Sequence, residues 1–253
     1  MDFQLKDKTI LVTGAASGLG KATALMLAAE GAKVAVNYRS RKEQADAVVA
    51  EMQSFYGATG LAVYADVASE DDVIEMFDAA ESELGPIYGL VNNAAYCPNP
   101  PCADLSLEEF RRGIDINLQG AFLCGREAVR RMRERQTRGR VVNISSQAAF
   151  RGSENGKTTY DMAKAGLVGF TRSLARDCAP LGINVNCVAP GLMRTDIIAA
   201  QIDADPEKYN RRVPVGRIGQ PEEIAAMIVF LCSEQASYMT GATVDVSGGL
   251  AMH

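Results

Sequence analysis

Short β-branched runs alternate with longer amphipathic stretches along the whole chain, and this alternation restricts the fold more than any other feature. The runs at 9–13, 33–37, 61–65, 87–92, 140–145, 183–189 and 243–246 read as strands. The stretches at about 18–30, 41–55, 70–84, 106–135 and 159–178, and another beginning after Pro221, read as helices. Gly31 suits a helix stop, and Ser106-Leu107-Glu108-Glu109 has the form of a capping box. Seven strands separated by helices imply a doubly wound α/β fold, a parallel sheet with helices on both faces joined by right-handed crossovers. The 253 residues, 47% of them hydrophobic, suit one such domain spanning 1–253 better than two small ones. In a fold of this class, ligands bind at the carboxyl ends of the strands, where the strand order reverses.

The charge balance narrows the possible partners. A net charge of -5 argues against nucleic acid, which needs a cationic surface. The run Arg126, Arg130, Arg131, Arg133, Arg135, Arg138 and Arg140 reads as a solvated helix face, helped by Glu127 and Glu134. No metal is expected: the only histidine is His253, and the six cysteines show no ligand spacing. The cysteines read as reduced core residues of a cytoplasmic protein, with Cys97 and Cys102 set apart in a proline-rich loop. The N-terminus lacks a signal-peptide pattern, and no apolar run reaches membrane-spanning length.

Thr13 to Gly20 forms a glycine loop between the first strand and first helix. Glycines there let the backbone turn sharply and approach a pyrophosphate resting on the helix N-terminus. The second strand ends in Asn37-Tyr38-Arg39, with Ser40 and Arg41 beyond and no carboxylate. An acid at that point would select NAD, whereas Arg39 can pair with a 2′-phosphate, so NADP is favoured, with dual use as the competitor. Read blandly, Arg39 is a surface-loop cation.

Tyr160 and Lys164 sit four residues apart at the start of a helix, on one face. A free phenol titrates near pH ~10, and a neighbouring ammonium favours its ionised form, which suits proton transfer at neutral pH. Ser145 and Ser146, at the end of the preceding strand, supply hydroxyls nearby.

Together these segments resemble the short-chain dehydrogenase/reductase family over essentially the whole chain. The motifs that carry the resemblance are Thr13 to Gly20, Asp66-Val67, Asn92-Asn93-Ala94-Ala95, Asn117, Ile144-Ser145-Ser146, Tyr160 to Lys164, Pro190-Gly191 with Thr195, and Gly248-Gly249. The resemblance implies a Rossmann fold with strand order 3-2-1-4-5-6-7 and hydride transfer between a nicotinamide and a carbonyl or secondary alcohol. It implies that Tyr160 exchanges the proton and Lys164 tunes it and holds the nicotinamide ribose. Ser146 would hold the substrate oxygen, and Asn117 would support a relay water. The cofactor would touch Gly14, Ser17, Gly18, Leu19, Gly20, Asn37, Tyr38, Arg39, Asp66, Val67, Asn93, Ala94, Ala95, Pro190, Gly191, Leu192 and Thr195. A homotetramer is implied as well.

Two departures stand out. Ala95 occupies a position that is usually glycine, and Ser146 lies fourteen residues before Tyr160 where thirteen is usual, leaving Ser145 as the alternative serine. Among branches, the chain is most similar to 3-oxoacyl-carrier-protein reductases and sugar 1-dehydrogenases. Loops 96–104, 147–157 and 192–215 would set the substrate, the last as a lid. The competing reading is an inactive cofactor-binding regulator of the same fold. Such a protein should lack one of Asn117, Ser146, Tyr160 and Lys164.

Overall fold

The computed structural model describes residues 2–98, 100–153, 157–194 and 199–252, apart from the side chains at 200 and 201. Seven parallel strands form one sheet: β1 (Thr9–Val12), β2 (Lys33–Tyr38), β3 (Gly60–Tyr64), β4 (Ile87–Asn92), β5 (Gly139–Ile144), β6 (Ile183–Pro190) and β7 (Thr243–Val246). Their order is β3-β2-β1-β4-β5-β6-β7, as the resemblance implied. The order reverses between β1 and β4, so the ends of those two strands open the crevice that the fold class reserves for ligands.

Strand alternation divides the core in two. Ile10, Val12, Val34, Val36 and Val142 face one layer, built by α1 (Gly18–Ala29), α2 (Lys42–Tyr56) and the helix Pro221–Cys232. Leu11, Ala35, Leu90, Val141 and Val185 face the other, under α3 (Glu70–Leu84) and the two long helices that flank β5. Because both faces are covered, the central strands are wholly buried, which explains their nearly unbroken apolar runs.

The expected helix over 106–135 is interrupted. It consists of α4 (Leu107–Ile114), one π-helical turn over Asp115–Gln119, and α5 (Gly120–Glu134). Ser106 Oγ caps α4 by accepting from Glu109 N at 3.1 Å. Periodicity cannot reveal a π-turn, since it adds one residue without breaking the apolar face. The cause is a tertiary contact: the buried Asn117 donates from Nδ2 to Tyr96 O at 2.6 Å as well as to Gly113 O at 2.8 Å. After β5 come the short α6 (Ala148–Arg151) and α7 (Thr158–Cys178). The segment expected as a lid contains α8 (Ala199–Ala204) and α9 (Pro206–Asn210), and α10 (Pro221–Cys232) follows.

The arginine run is less solvated than the sequence implied. Arg131 is buried, with Nε 2.5 Å from Glu127 Oε1, Nη1 2.8 Å from Glu81 Oε2 and Nη2 2.7 Å from Asp78 Oδ1. Arg140 is also buried, reaching Glu234 at 2.9 Å and Ser233 O at 3.1 Å. Arg126 and Arg130 pair with acids on the rim, so much of the run's charge is neutralised. Burial alone would raise the Glu127 carboxyl, but hydrogen bonds from Arg130 and Arg131 hold it below the usual carboxylate range. The reason is that α5 packs against α3 as well as against the sheet, which buries Arg131, while Arg140 lies on the buried strand β5.

Arg131→Ala strands Glu127 and Glu81 without their central partner, and should cost about 3–5 kcal/mol in urea unfolding. Arg126→Ala, on the exposed rim, should cost about 1 kcal/mol or less. Similar losses from the two changes would refute the buried role given to Arg131.

Candidate active site

The glycine loop is fixed by side chains from three strand ends. Thr13 Oγ1 accepts from Asn93 N at 2.9 Å and from Ala94 N at 3.0 Å. Asn93 Nδ2 returns bonds to Thr13 O at 2.9 Å and Gly14 O at 3.1 Å. Gly14 has φ +62°, and a Cβ there would lie 2.9 Å from Ala94 Cα, so only glycine fits. A Cβ at Gly20 would lie 2.5 Å from Gly14 O, so Gly20 lets α1 press against the loop and does not line the cleft. Ser17 makes no capping bond to α1, whose first-turn amides at Gly18 and Leu19 therefore face the cleft without a side-chain cap.

Asn37 departs from expectation. It is buried, with Oδ1 accepting Gly14 N at 3.0 Å and Nδ2 donating to Ala65 O at 3.2 Å. It borders the cleft, yet its polar atoms are committed to the loop and to β3. Charge at this end comes from further along: Arg39 Nη1 lies 3.7 Å from Asp66 Oδ2, and Arg41 Nη1 donates to Ser17 Oγ at 2.8 Å. Tyr38, Ser40 and Val67 complete this end. Arg41 was not among the expected cofactor residues; a second cation two positions after Arg39 was the available signal.

The opposite end gathers the expected catalytic group. Ser146, Tyr160 and Lys164 line one cleft of about 490 Å³, together with Ala94, Ala95, Pro190, Gly191 and Leu192. Lys164 Nζ sits 5.4 Å from the Tyr160 ring centroid and donates to Ile144 O at 2.6 Å. Ser145 Oγ donates to Lys164 O at 2.7 Å, whereas Ser146 lines the cleft beside Tyr160 with its Oγ accepting Ala148 N at 3.1 Å, so the two serines play different parts. Asn117 lies behind this cleft, in the π-turn, lining a small adjoining void with Lys164. Its Oδ1 also accepts Tyr96 N at 3.0 Å. Thr195 lies outside the described residues. Tyr96, Gln147 and Ser153 line the cleft from the loops 96–104 and 147–157, which the sequence assigned to the substrate.

Electrostatics modifies the sequence argument. Burial pushes the Tyr160 phenol well above its ordinary value, and the Ser146 hydroxyl only partly opposes this. Burial likewise draws Lys164 down to about 8. Each charged form is penalised by the same apolar walls. Burial therefore outweighs the lowering of the phenol that the neighbouring ammonium was expected to give.

The residues fit a dinucleotide. An extended cleft joins an uncapped helix N-terminus, a glycine cradle that a Cβ would fill, and a hydroxyl–phenol–amine group. Among the described residues no cluster of possible metal ligands occurs, and no helix is long and apolar enough to cross a membrane.

Comparison with known proteins agrees with this geometry. The profile of the family described as enoyl-(acyl carrier protein) reductase matches residues 14–251. A 3-oxoacyl-[acyl-carrier-protein] reductase of Synechocystis sp. is 42% identical, covering 98% of each chain. That of Aquifex aeolicus is 39% identical over 99% of this chain and 100% of its own. Among solved structures, a short-chain type dehydrogenase/reductase from Mycobacterium marinum superposes with TM-score 0.94 at 34% identity, covering 100% of this chain and 98% of the other. A putative gluconate dehydrogenase from Agrobacterium tumefaciens gives 0.93 at 35%, with 100% of each chain covered. The chain belongs to the short-chain dehydrogenase/reductase family of NAD(P)-dependent oxidoreductases.

Proposed function

We propose that this enzyme transfers a hydride between NADP(H), its preferred cofactor, and a carbonyl or secondary alcohol, as a 3-oxoacyl reductase or a sugar 1-dehydrogenase. One observation carries the reading: Tyr160, Lys164 and Ser146 face a single cleft whose far end holds Arg39 and Arg41. The family resemblance favours the acyl substrate through the 3-oxoacyl reductases at about 40% identity, and the polyhydroxy substrate through the neighbour titled a putative gluconate dehydrogenase. All four members of the catalytic group are present, which favours an enzyme over the inactive regulator.

In this reading Tyr160 gives its proton to the carbonyl oxygen during reduction and takes one back during oxidation. Ser146 donates to the same oxygen and fixes its distance from the phenol. Lys164, held by Ile144 O, orients the ribose beside the nicotinamide, and Asn117 keeps the adjoining backbone open for a proton path. When bound, the nicotinamide supplies or accepts the hydride. The amides of Gly18 and Leu19 would hold the pyrophosphate, with Gly14, Ser17 and Gly20 shaping the loop. Asp66, Val67, Asn93, Ala94 and Ala95 would flank the adenosine side. Pro190, Gly191, Leu192 and Thr195 would flank the carboxamide, with 192–215 as lid. Arg39 and Arg41 would share the 2′-phosphate, Arg39 exchanging its long contact with Asp66 for a closer one. Exposed Phe122 on α5 and Met162 on α7 support a homotetramer packed through those helices.

Tyr160→Phe should lower kcat by roughly 10²–10⁴-fold while NADPH binding, read by fluorescence, persists. Turnover at the wild-type rate would end the assignment. Arg39→Ala and Arg41→Ala should each reduce kcat/KM for NADPH by about tenfold or more and spare NADH. Higher efficiency with NADH in the parent enzyme, unmoved by either change, would overturn the NADP preference. A panel of 3-oxoacyl thioesters, aldoses and simple ketones assigns the substrate.

The buried amine gives a stability test independent of turnover. Between about pH 8 and 10.5 the unfolded chain keeps the Lys164 proton while the folded chain has released it. The unfolded state then binds more protons, so this group adds stability as pH rises through that window. Lys164→Met should remove that contribution. The difference in urea midpoint between parent and variant should shift toward the parent from pH 8 to pH 10, and a constant difference would contradict the buried amine.

A further inference from the structure

We propose that the substrate carries a free carboxylate close to its reacting carbonyl, and that Lys157 is the residue that recognises it. The proposal rests on the oxidoreductase reading of the cleft and adds the class of substrate it admits. Lys157 lines the same cleft as Tyr160 and lies three residues before it, at the N-cap position that leads into α7. Its charge reaches the thiol of Cys97, which lines the cleft from the loop after β4.

The surroundings leave that charge available to a ligand. Asp161, four residues after Lys157, accepts Ser153 N at 2.6 Å and Ser153 Oγ at 2.7 Å, one on each oxygen. Among the described residues Lys157 forms no ion pair, and Asp66, the carboxylate that lines the cleft, stands at the far end beside Arg39. A cation facing a partly enclosed cleft favours an anionic substituent, because the ion pair is worth more there than on open surface. A single amine with one charge matches a carboxylate; a phosphate dianion calls for several donors. The substrate is accordingly an oxo acid or the matching hydroxy acid.

The test compares α-, β- and γ-oxo acids with their methyl esters, using NADPH and the parent enzyme, Lys157→Gln and Lys157→Arg. For the best acid, kcat/KM should exceed that of its ester by about tenfold or more, and Lys157→Gln should collapse this ratio. Lys157→Arg should restore most of it, which a merely structural role for Lys157 would not produce. Calorimetry of the parent protein with saturating NADP⁺ and the oxo acids, a pair in which no hydride can be transferred, adds a readout without turnover. The oxo acids should bind at least about tenfold tighter than their esters, and Lys157→Gln should abolish the difference. Equal treatment of acid and ester by the parent, or equal losses for both in Lys157→Gln, would overturn the proposal. Failure of the oxidoreductase reading looks different: no acid, ester or other carbonyl would oxidise NADPH.

Discussion

Two opposed hydrogen bonds tie α7 to β5, and the rest of the site depends on them. Lys164 Nζ donates to Ile144 O at 2.6 Å, and Ser145 Oγ donates to Lys164 O at 2.7 Å. Each satisfies a polar group that would otherwise be buried without a partner. They fix the rotation of α7, and therefore the direction in which Tyr160 points. They also fix the end of β5, and so the position of Ser146. A helix packed on a sheet by apolar contacts alone could slide or turn slightly, and a proton-transfer group tolerates little such error. The sheet supplies the rigid reference, since β5 is buried along its full length between β4 and β6.

Much of this was legible in the sequence because the relevant signals are local and periodic. Strand runs such as 87–92 and 183–189, and helices such as 70–84, show clearly in apolar spacing. The strand order came from the family resemblance. The π-turn at Asp115–Gln119 was not legible, since its cause is a contact between Asn117 and Tyr96, twenty-one residues away in sequence. The burial of Arg131 and Arg140 was hidden for a similar reason: their acids come from α3 and from Glu234. For the site, Tyr160, Lys164 and Ser146 were found through their spacing and strand-end position. Arg41 was passed over, because a loop side chain does not reveal its direction from sequence.

Charge is unevenly spread in the cleft. Arg39 and Arg41 stand at one end of it, beside Asp66, while Lys157 and Lys164 line it together with Tyr160 and Ser146. Burial raises the phenol and lowers the amine, pushing both groups toward their neutral forms. The cations lining the cleft draw an anionic ligand toward it before any specific hydrogen bond forms.

The position of Asn37 has a consequence for how this scaffold can change its redox partner. Its amide bridges two main-chain groups of opposite polarity, accepting from Gly14 N and donating to Ala65 O. An aspartate there would keep the acceptor but set a second anionic oxygen against the Ala65 carbonyl, weakening the hinge on which the glycine loop turns. The simplest one-letter exchange toward a different nucleotide is thus obstructed by architecture, not by the nucleotide itself. Natural drift or laboratory evolution on this backbone would find its open route through the exposed guanidinium pair further along the turn.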